Sequence, residues 1–285
     1  MRYKSVKKIR IGITVVGKDR EGIVASFTNF IFQRDGNIER VNQNVIKGLF
    51  GMHLEASFSK EINIKKFDKE LQNLGKKIGV EVSIYHEINS HKNIALFVTK
   101  EPHCLEALLN ANAKGLLKGR VSVIVGTEKT LEASAKRAKI PFVVVDEKDQ
   151  LEAENHLIEI AKQYDIDLVV LARYMRIMTP NFVWRYPHRV INIHPSLLPA
   201  FPGAFAYAQA FERGTKIVGV TAHYVTEELD QGPIIFQDSF KVGPKDTLES
   251  IRQKGQKLEA NTLLKAVKMH LEGKLEVSWR KVYTK

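Results

Sequence analysis

The stretch from Ile9 to Ile31 reads I-R-I-G-I-T-V-V-G-K-D-R-E-G-I-V-A-S-F-T-N-F-I, and its apolar period changes halfway. Ile9, Ile11, Ile13 and Val15 alternate as in a β-strand with one buried face. Ile23, Phe27, Phe30 and Ile31 instead fall at i, i+4, i+7 and i+8, the stripe of a helix. The spacing predicts a turn from Gly17 to Gly22 with Asp19 as N-cap, and Asp35-Gly36 ends the helix. Working outward, a polar-rich strand from Asn37 to Ile46 is followed by a cleaner one, in which Met52, Leu54, Ala56 and Phe58 alternate with polar residues. Gly48 to Gly51 is the expected hairpin. A helix from about Ile64 to Lys77, with Phe67, Leu71 and Leu74 inward, then leads into a strand from Val80 to Tyr85. The order βαββαβ is that of a ferredoxin-like unit.

From Glu87 to Asn93 the chain is polar and includes His91 and Lys92, and the pattern beyond it is different. This divides the chain into a first domain over 1–87, a linker over 88–92 and a second domain over 93–285. Five short apolar runs recur in the second domain, at Ile94 to Val98, Val121 to Val125, Phe142 to Val145, Leu168 to Ala172 and Val190 to Ile193. Continuous runs separated by helical stretches are what parallel strands buried on both faces look like. The expected class is therefore α/β throughout, a small antiparallel unit followed by a Rossmann-like domain with a mostly parallel sheet. Thr179-Pro180 marks a helix start. Two further strands, at Ile217 to Val225 and Ile234 to Val242, and a helix from about Asp246 to Glu272 complete the pattern.

Composition narrows the function. With 285 residues, 44% hydrophobic and 27% charged, the chain has the length for two cores and none of the apolar poverty of a disordered protein. The single cysteine, Cys104, excludes an internal disulfide, has no partners at zinc-site spacing, and fits a reducing, cytoplasmic compartment. No apolar run reaches the roughly 18 residues of a membrane span, and no signal-peptide core follows the basic start MRYKSVKKIR. The net charge of +12 attracts polyanions, but the lysines (Lys60, Lys65, Lys66, Lys69, Lys254, Lys257 among them) are scattered and not interleaved with aromatics. On charge alone the reading is a solvated basic surface, with neither nucleic acid nor membrane as partner. No G-x-G-x-x-G opens the second domain and no Walker motif occurs, which disfavours dinucleotide and P-loop chemistry.

In an open α/β sheet, polar residues that interrupt an apolar strand near its carboxyl end are the candidates for chemistry. Asn192 and His194 are such a pair, i and i+2 on one side of a strand that Pro195 stops. The surrounding stretches read V-I-N-I-H-P-S-L-L-P-A-F-P-G-A (Val190 to Ala204) and G-V-T-A-H-Y-V-T-E-E-L-D-Q-G-P-I-I (Gly219 to Ile235). Together they resemble the folate-dependent formyltransferase family, in which an Asn-x-His strand end and a Leu-Pro loop closing on Gly are followed by His-x-Val and Asp-x-Gly. The resemblance covers roughly residues 93–273. It implies a catalytic trio of Asn192, His194 and Asp230 acting on an N10-formyl group. Asn192 and His194 suit an oxyanion hole, and Asp230 suits proton transfer or orienting the imidazole. It also implies a substrate pocket that includes Arg173, Tyr174, Met175, Arg176 and Ile177 from L-A-R-Y-M-R-I-M, with Gly203, Val225, Thr226, Glu227 and Leu229. No metal and no permanently bound cofactor is implied, since 10-formyltetrahydrofolate is itself the substrate. His223 alternates with Thr221 and Val225, and either supports the site or packs in the core.

The turn G-K-D-R-E-G-I-V is similar to that of the ACT family of regulatory modules, over about the first 85 residues. That resemblance implies an amino-acid effector near Asp19, Gly22, Ile23 and Asn37, and a homodimer or homotetramer. An ACT-like module fused to the formyltransferase domain resembles the branch of the family that hands the formyl group to water, releasing formate and tetrahydrofolate. Phe97 to Leu105 and Tyr207 to Gly214 match that branch as well. After the first strand of the domain, Thr99-Lys100-Glu101-Pro102 stands where the glycinamide ribonucleotide transformylases cradle a phosphate. Glu101 repels one, and Pro102 lacks an amide hydrogen. Against this, Pro195, Leu197 and Pro202 look more like the transformylase, and Ala206 stands where the hydrolytic branch commonly has Pro before the tyrosine of the next helix, so transfer to glycinamide ribonucleotide stays the alternative. Methionyl-tRNA formyltransferase fits less well, and a non-enzymatic sensor least, since the trio is intact.

Overall fold

The computed structural model describes residues 9–86 and 92–285. The basic start at residues 1–8 and the linker expected at 88–92, apart from Lys92, lie outside them. The chain divides into two compact units, Met1–Asn89 with Pro180–Pro187, and Ser90–Thr179 with His188–Lys285.

The first unit contains β1 (Ile9–Lys18), α1 (Ile23–Phe32), β2 (Gly36–Ile46), β3 (Leu49–Phe58), α2 (Ile64–Ile78) and β4 (Val80–His86). The strands form an antiparallel sheet in the order β2-β3-β1-β4. The alternating residues of β1 and β3 face the stripe of α1, and Phe67 of α2 sets its ring edge-on to Phe30 and Phe58. Two local expectations change. Asp19 does not cap α1: its backbone N–H donates to the Gly48 carbonyl, and Gly22, at φ +83°, occupies the N-cap with no side-chain bond. The hairpin is Lys47-Gly48, both at positive φ, because Ile46 pairs with Leu49 and leaves two residues for the turn. Leu74 is only partly buried, while Gly75 is packed tightly against Val82.

The second unit continues with β5 (Lys92–Val98), α3 (His103–Ala113), β6 (Gly119–Gly126), α4 (Glu132–Ala138), β7 (Phe142–Val144), α5 (Gln150–Gln163) and β8 (Leu168–Leu171). Next comes α6 (Pro180–Val183), a single turn that starts where Thr179-Pro180 marks it and whose segment groups with the first unit. The chain ends with β9 (Val190–His194), α7 (Ala206–Glu212), β10 (Ile217–Tyr224), β11 (Ile234–Lys241), α8 (Leu248–Leu271), β12 (Leu275–Ser278) and β13 (Lys281–Thr284). Lys92 and Asn93 are therefore strand, paired with Gly119 and Arg120, and not linker.

The seven-stranded sheet runs β11-β10-β9-β8-β5-β6-β7. β9, β8, β5, β6 and β7 are mutually parallel, and β10 pairs antiparallel with both β9 and β11. The five apolar runs form the parallel strands, and Ile94, Leu96, Val170, Ile191 and Leu263 belong to one core. α8 begins on a capping box in which Thr247 and Ser250 bond each other's backbone. The C-terminal hairpin β12-β13 had no counterpart in the sequence reading, its strands being four residues each. The strand order reverses between β5 and β8, which places the ligand-binding edge beyond their carboxyl ends.

Candidate active site

β9 presents Asn192 and His194 on one side while Ile191 and Ile193 enter the core. The antiparallel register of β10 sets His223 opposite Asn192 and Thr221 opposite His194. His223 Nδ1 lies 2.9 Å from the Tyr224 carbonyl, which can only accept, so Nδ1 carries the hydrogen and Nε2 is a lone pair. Burial pushes the His223 pKa down and keeps the ring neutral. Asn192 Nδ2, 3.2 Å from that Nε2, donates one hydrogen to it, and its second hydrogen remains for the cleft. His223 is thereby a support for Asn192 rather than mere packing.

His194 has partners at both nitrogens. Nε2 donates to the Phe201 carbonyl at 2.8 Å, and Nδ1 lies 3.3 Å from Asp230 Oδ2. Both side chains are almost fully buried, at 5% and 6% exposure. Asp230 sits at φ +55°, its Oδ2 accepts from the Gly203 amide at 2.8 Å, and its Oδ1 is 3.8 Å from His223 Nε2. The loop bearing Asp230 is folded tightly back on β10: a Cβ at Gly232 would come within 1.7 Å of the Tyr224 oxygen, so only glycine fits.

Residues that the sequence reading did not single out hold this arrangement. Thr221 Oγ1 donates to the Ser196 carbonyl and accepts from the Leu198 amide and from Gln237 Nε2. Gln237 also donates to the Leu198 carbonyl, next to a cis Leu198-Pro199 bond. The Leu-Pro loop is thus fastened to β10 and β11, which aims the Phe201 carbonyl and the Gly203 amide at His194 and Asp230. On the opposite wall, the buried Glu154 of α5 accepts from the Thr179 amide at 2.6 Å, its hydroxyl at 2.5 Å and Gln150 Nε2 at 3.0 Å. Gln150 in turn donates to the Ile177 carbonyl. Only helix periodicity distinguished Glu154 in the sequence, where it reads as one more charge on α5.

A cleft of about 280 Å³ opens over these groups. All thirteen residues expected of the catalytic trio and pocket line it: Asn192, His194 and Asp230, then Arg173, Tyr174, Met175, Arg176, Ile177, Gly203, Val225, Thr226, Glu227 and Leu229. Met175, Ile177 and Leu229 are at least half exposed, apolar walls suited to a flat aromatic ligand. Tyr174 packs on Phe97, and burial pushes its phenol up to about 12. Arg173 lines the cleft, but its guanidinium is held elsewhere, bidentate on Glu101 at 3.2 and 3.3 Å with Nε 3.5 Å from Glu259. Burial opposes the charge of Glu101, yet Arg173 beside it holds the carboxyl below its ordinary range.

The residues expected to take an effector are not enclosed. Asp19, Gly22 and Asn37 are exposed, while the Ile23 side chain is in the core and offers a ligand only its amide.

The fold and the cleft define a formyl transferase joined to an ACT module. The formyl transferase family model matches residues 92–267 and the ACT domain model residues 10–85. The formyltetrahydrofolate deformylase of Bacillus subtilis is 36% identical over 91% of this chain and 88% of its own. That of Escherichia coli K12 is 38% identical over 87% and 89%. Among solved structures, the Pseudomonas syringae formyltetrahydrofolate deformylase superposes with a TM-score of 0.67 at 31% identity, over 99% of this chain and 96% of that one. Glycinamide ribonucleotide transformylase 1 of Symbiobacterium toebii reaches 0.66 at 33% identity, but over 70% of this chain and 96% of its own. The chain belongs to the formyltetrahydrofolate deformylase family. Among the described residues no helix is long and apolar enough to cross a membrane.

Proposed function

We propose that the protein hydrolyses 10-formyltetrahydrofolate to formate and tetrahydrofolate in the cytoplasm. The observation that carries the reading is the convergence of Asn192, His194 and Asp230 in one cleft, in a chain whose deformylase relatives match about nine-tenths of it. The folate fills the cleft with its ring against the apolar walls. The free hydrogen of Asn192 donates to the formyl oxygen as negative charge develops there. Asp230 takes a proton from the attacking water, while the Gly203 amide, bonded to Oδ2, keeps the carboxylate in position beside His194 Nδ1. The new C–O bond forms, the C–N10 bond breaks, and N10 receives the proton. In the geometry described, His194 acts through Asp230, since the carboxylate and the Phe201 carbonyl occupy both its nitrogens. Nothing in this sequence of steps calls on a resident cofactor.

The first module, over 1–87, is proposed to bind an amino acid at the turn before α1 and to work as a homodimer or homotetramer, with 93–285 as the catalytic part. Support comes from the ACT match and from the α1 amides that no side chain caps. The test is formate and tetrahydrofolate release from 10-formyltetrahydrofolate, without and with glycinamide ribonucleotide. Hydrolysis gives formate at a rate the nucleotide does not alter. Turnover only in its presence makes the protein a transformylase.

A further inference from the structure

The edge where the strand order reverses carries two hollows. One is the cleft, whose walls come from the segment after β8, the end of β9, residues 203–204 and the segment after β10. The other is an open groove of about 550 Å³ over α3 and α8, lined by His103, Gln256, Lys257 and Asn261 among others. Glu259, flanked by Arg173 and His103, forms a partition between the two linings. Arg173 lines the cleft, His103 lines the groove, and both reach the same oxygen of Glu259, at 3.5 and 3.1 Å. Glu259 is 1% exposed, and its other oxygen accepts from Tyr207 at 2.7 Å. From the loop after β5, Glu101 grips the Arg173 guanidinium.

This partition is costly to build. Glu259 is a buried carboxylate, tolerated because three side chains satisfy it. Arg173 stands at φ +64°, a region that favours glycine, so its side chain is placed against backbone strain. Strain and buried charge in one cluster at the edge of a reaction cleft point to a functional constraint. A hydrolase of an activated formyl group must keep amines, which are better nucleophiles than water, away from the formyl carbon.

We infer that Arg173, locked by Glu101 and Glu259, determines the acceptor: it closes the passage from the groove, so that a primary amine cannot reach the formyl carbon and water does. The inference rests on the hydrolytic reading above. With the passage open, an amine nitrogen attacks the formyl carbon, the C–N10 bond breaks, and N10 takes the proton the amine loses. The products are a formamide and tetrahydrofolate.

The experiment compares the wild-type chain, Arg173→Gly and Glu101→Ala with 10-formyltetrahydrofolate and excess glycinamide as the amine probe, measuring N-formylglycinamide and formate together. Glycine suits the positive φ and removes the plug, while Glu101→Ala frees the guanidinium without touching the cleft lining. The wild type gives formate alone. Arg173→Gly raises the formamide-to-formate ratio at least about tenfold, and Glu101→Ala raises it less. The inference is overturned by folded variants, with single melting transitions, that partition like the wild type, or by a wild type that itself forms the formamide as readily. Should Arg173→Gly unfold, Glu101→Ala alone decides. A wild type that releases no formate without a nucleotide sinks the hydrolytic reading instead, which separates the two failures.

Discussion

The turn after β1 and the loop between β10 and β11 are built from similar parts. Each follows a strand, each has an aspartate two or three residues before a glycine, and each holds a residue at positive φ, Gly22 in one and Asp230 in the other. Their outcomes differ. Asp230 is folded against His194 from β9 and the Gly203 amide from the Leu-Pro loop, and it lines a cleft. Asp19 uses its backbone to latch onto Gly48 and leaves its side chain in solvent. A polar motif at a strand end becomes a site when elements distant in sequence close around it.

The sharpest way to break that contrast is to change the two aspartates in parallel. Asp230→Asn lowers kcat at least about a hundredfold with little change in KM, because it removes the proton acceptor and keeps the shape. Asp19→Asn leaves formate release unchanged. A turnover loss of similar size in both, measured with saturating substrate, ends the distinction.

Glu154→Ala tests whether the cleft needs its remote support. The substitution removes the acceptor that the Thr179 amide and hydroxyl share with Gln150, at a cost of about 2–4 kcal/mol. By loosening residues 173–179 it raises KM more than it lowers kcat. Denaturant titration and steady-state kinetics check both halves, and an unchanged KM in a destabilised protein would confine Glu154 to the fold.

Protons offer a gentler probe. Burial, the largest cause in each case, pushes His223 down and takes His270 to about 3, whereas unfolded histidines titrate near about 6.5. Between those limits the unfolded chain binds more protons than the folded one. The stabilisation from His270 is therefore complete above about pH 6.5 and is lost as pH falls toward about 3, and that from His223 is lost in the same direction. Melting temperature followed from pH 8 to 4 shows the decline, and His270→Asn flattens it; an equal slope in the variant places the titration elsewhere.

The smallest effect belongs to the open turn. Gly22→Ala costs about 1 kcal/mol for its φ of +83°, without changing turnover. If an amino acid binds there, it raises the melting temperature of the wild type and not that of this variant. No shift with any amino acid makes the turn structural.

Much of this architecture was legible because its signals are local. Met52, Leu54, Ala56 and Phe58 of β3 and the four-residue stripe of α1 are buried as alternation and helical spacing single them out, since periodicity records which face meets the core, although Phe50 and Ser57 are buried as well. The apolar runs of the parallel strands were equally plain, being buried on both faces. Elsewhere local signals misled. Asp19 has the chemistry of a cap, but β1 runs on to Lys18 and pairs with Leu49, so the backbone turns where no side-chain cap is used. Two glycines near residue 50, Gly48 and Gly51, suit a hairpin, and only the pairing of Ile46 with Leu49 selects Lys47-Gly48.

By itself the sequence determined which elements form, which side of β9 carries Asn192 and His194, and, through resemblance, which residues belong in the pocket. It did so because contiguous residues carry those properties. Tertiary structure alone decided what each polar group faces. The β9-β10 register made His223 an acceptor for Asn192, Thr221 and Gln237 fixed the loop that holds His194 and Asp230, and Glu101 and Glu259 hold the Arg173 guanidinium in a partition at the edge of the cleft. Those contacts join residues dozens of positions apart, and hydrogen bonds and charges act over ångströms in space, a distance no local pattern records.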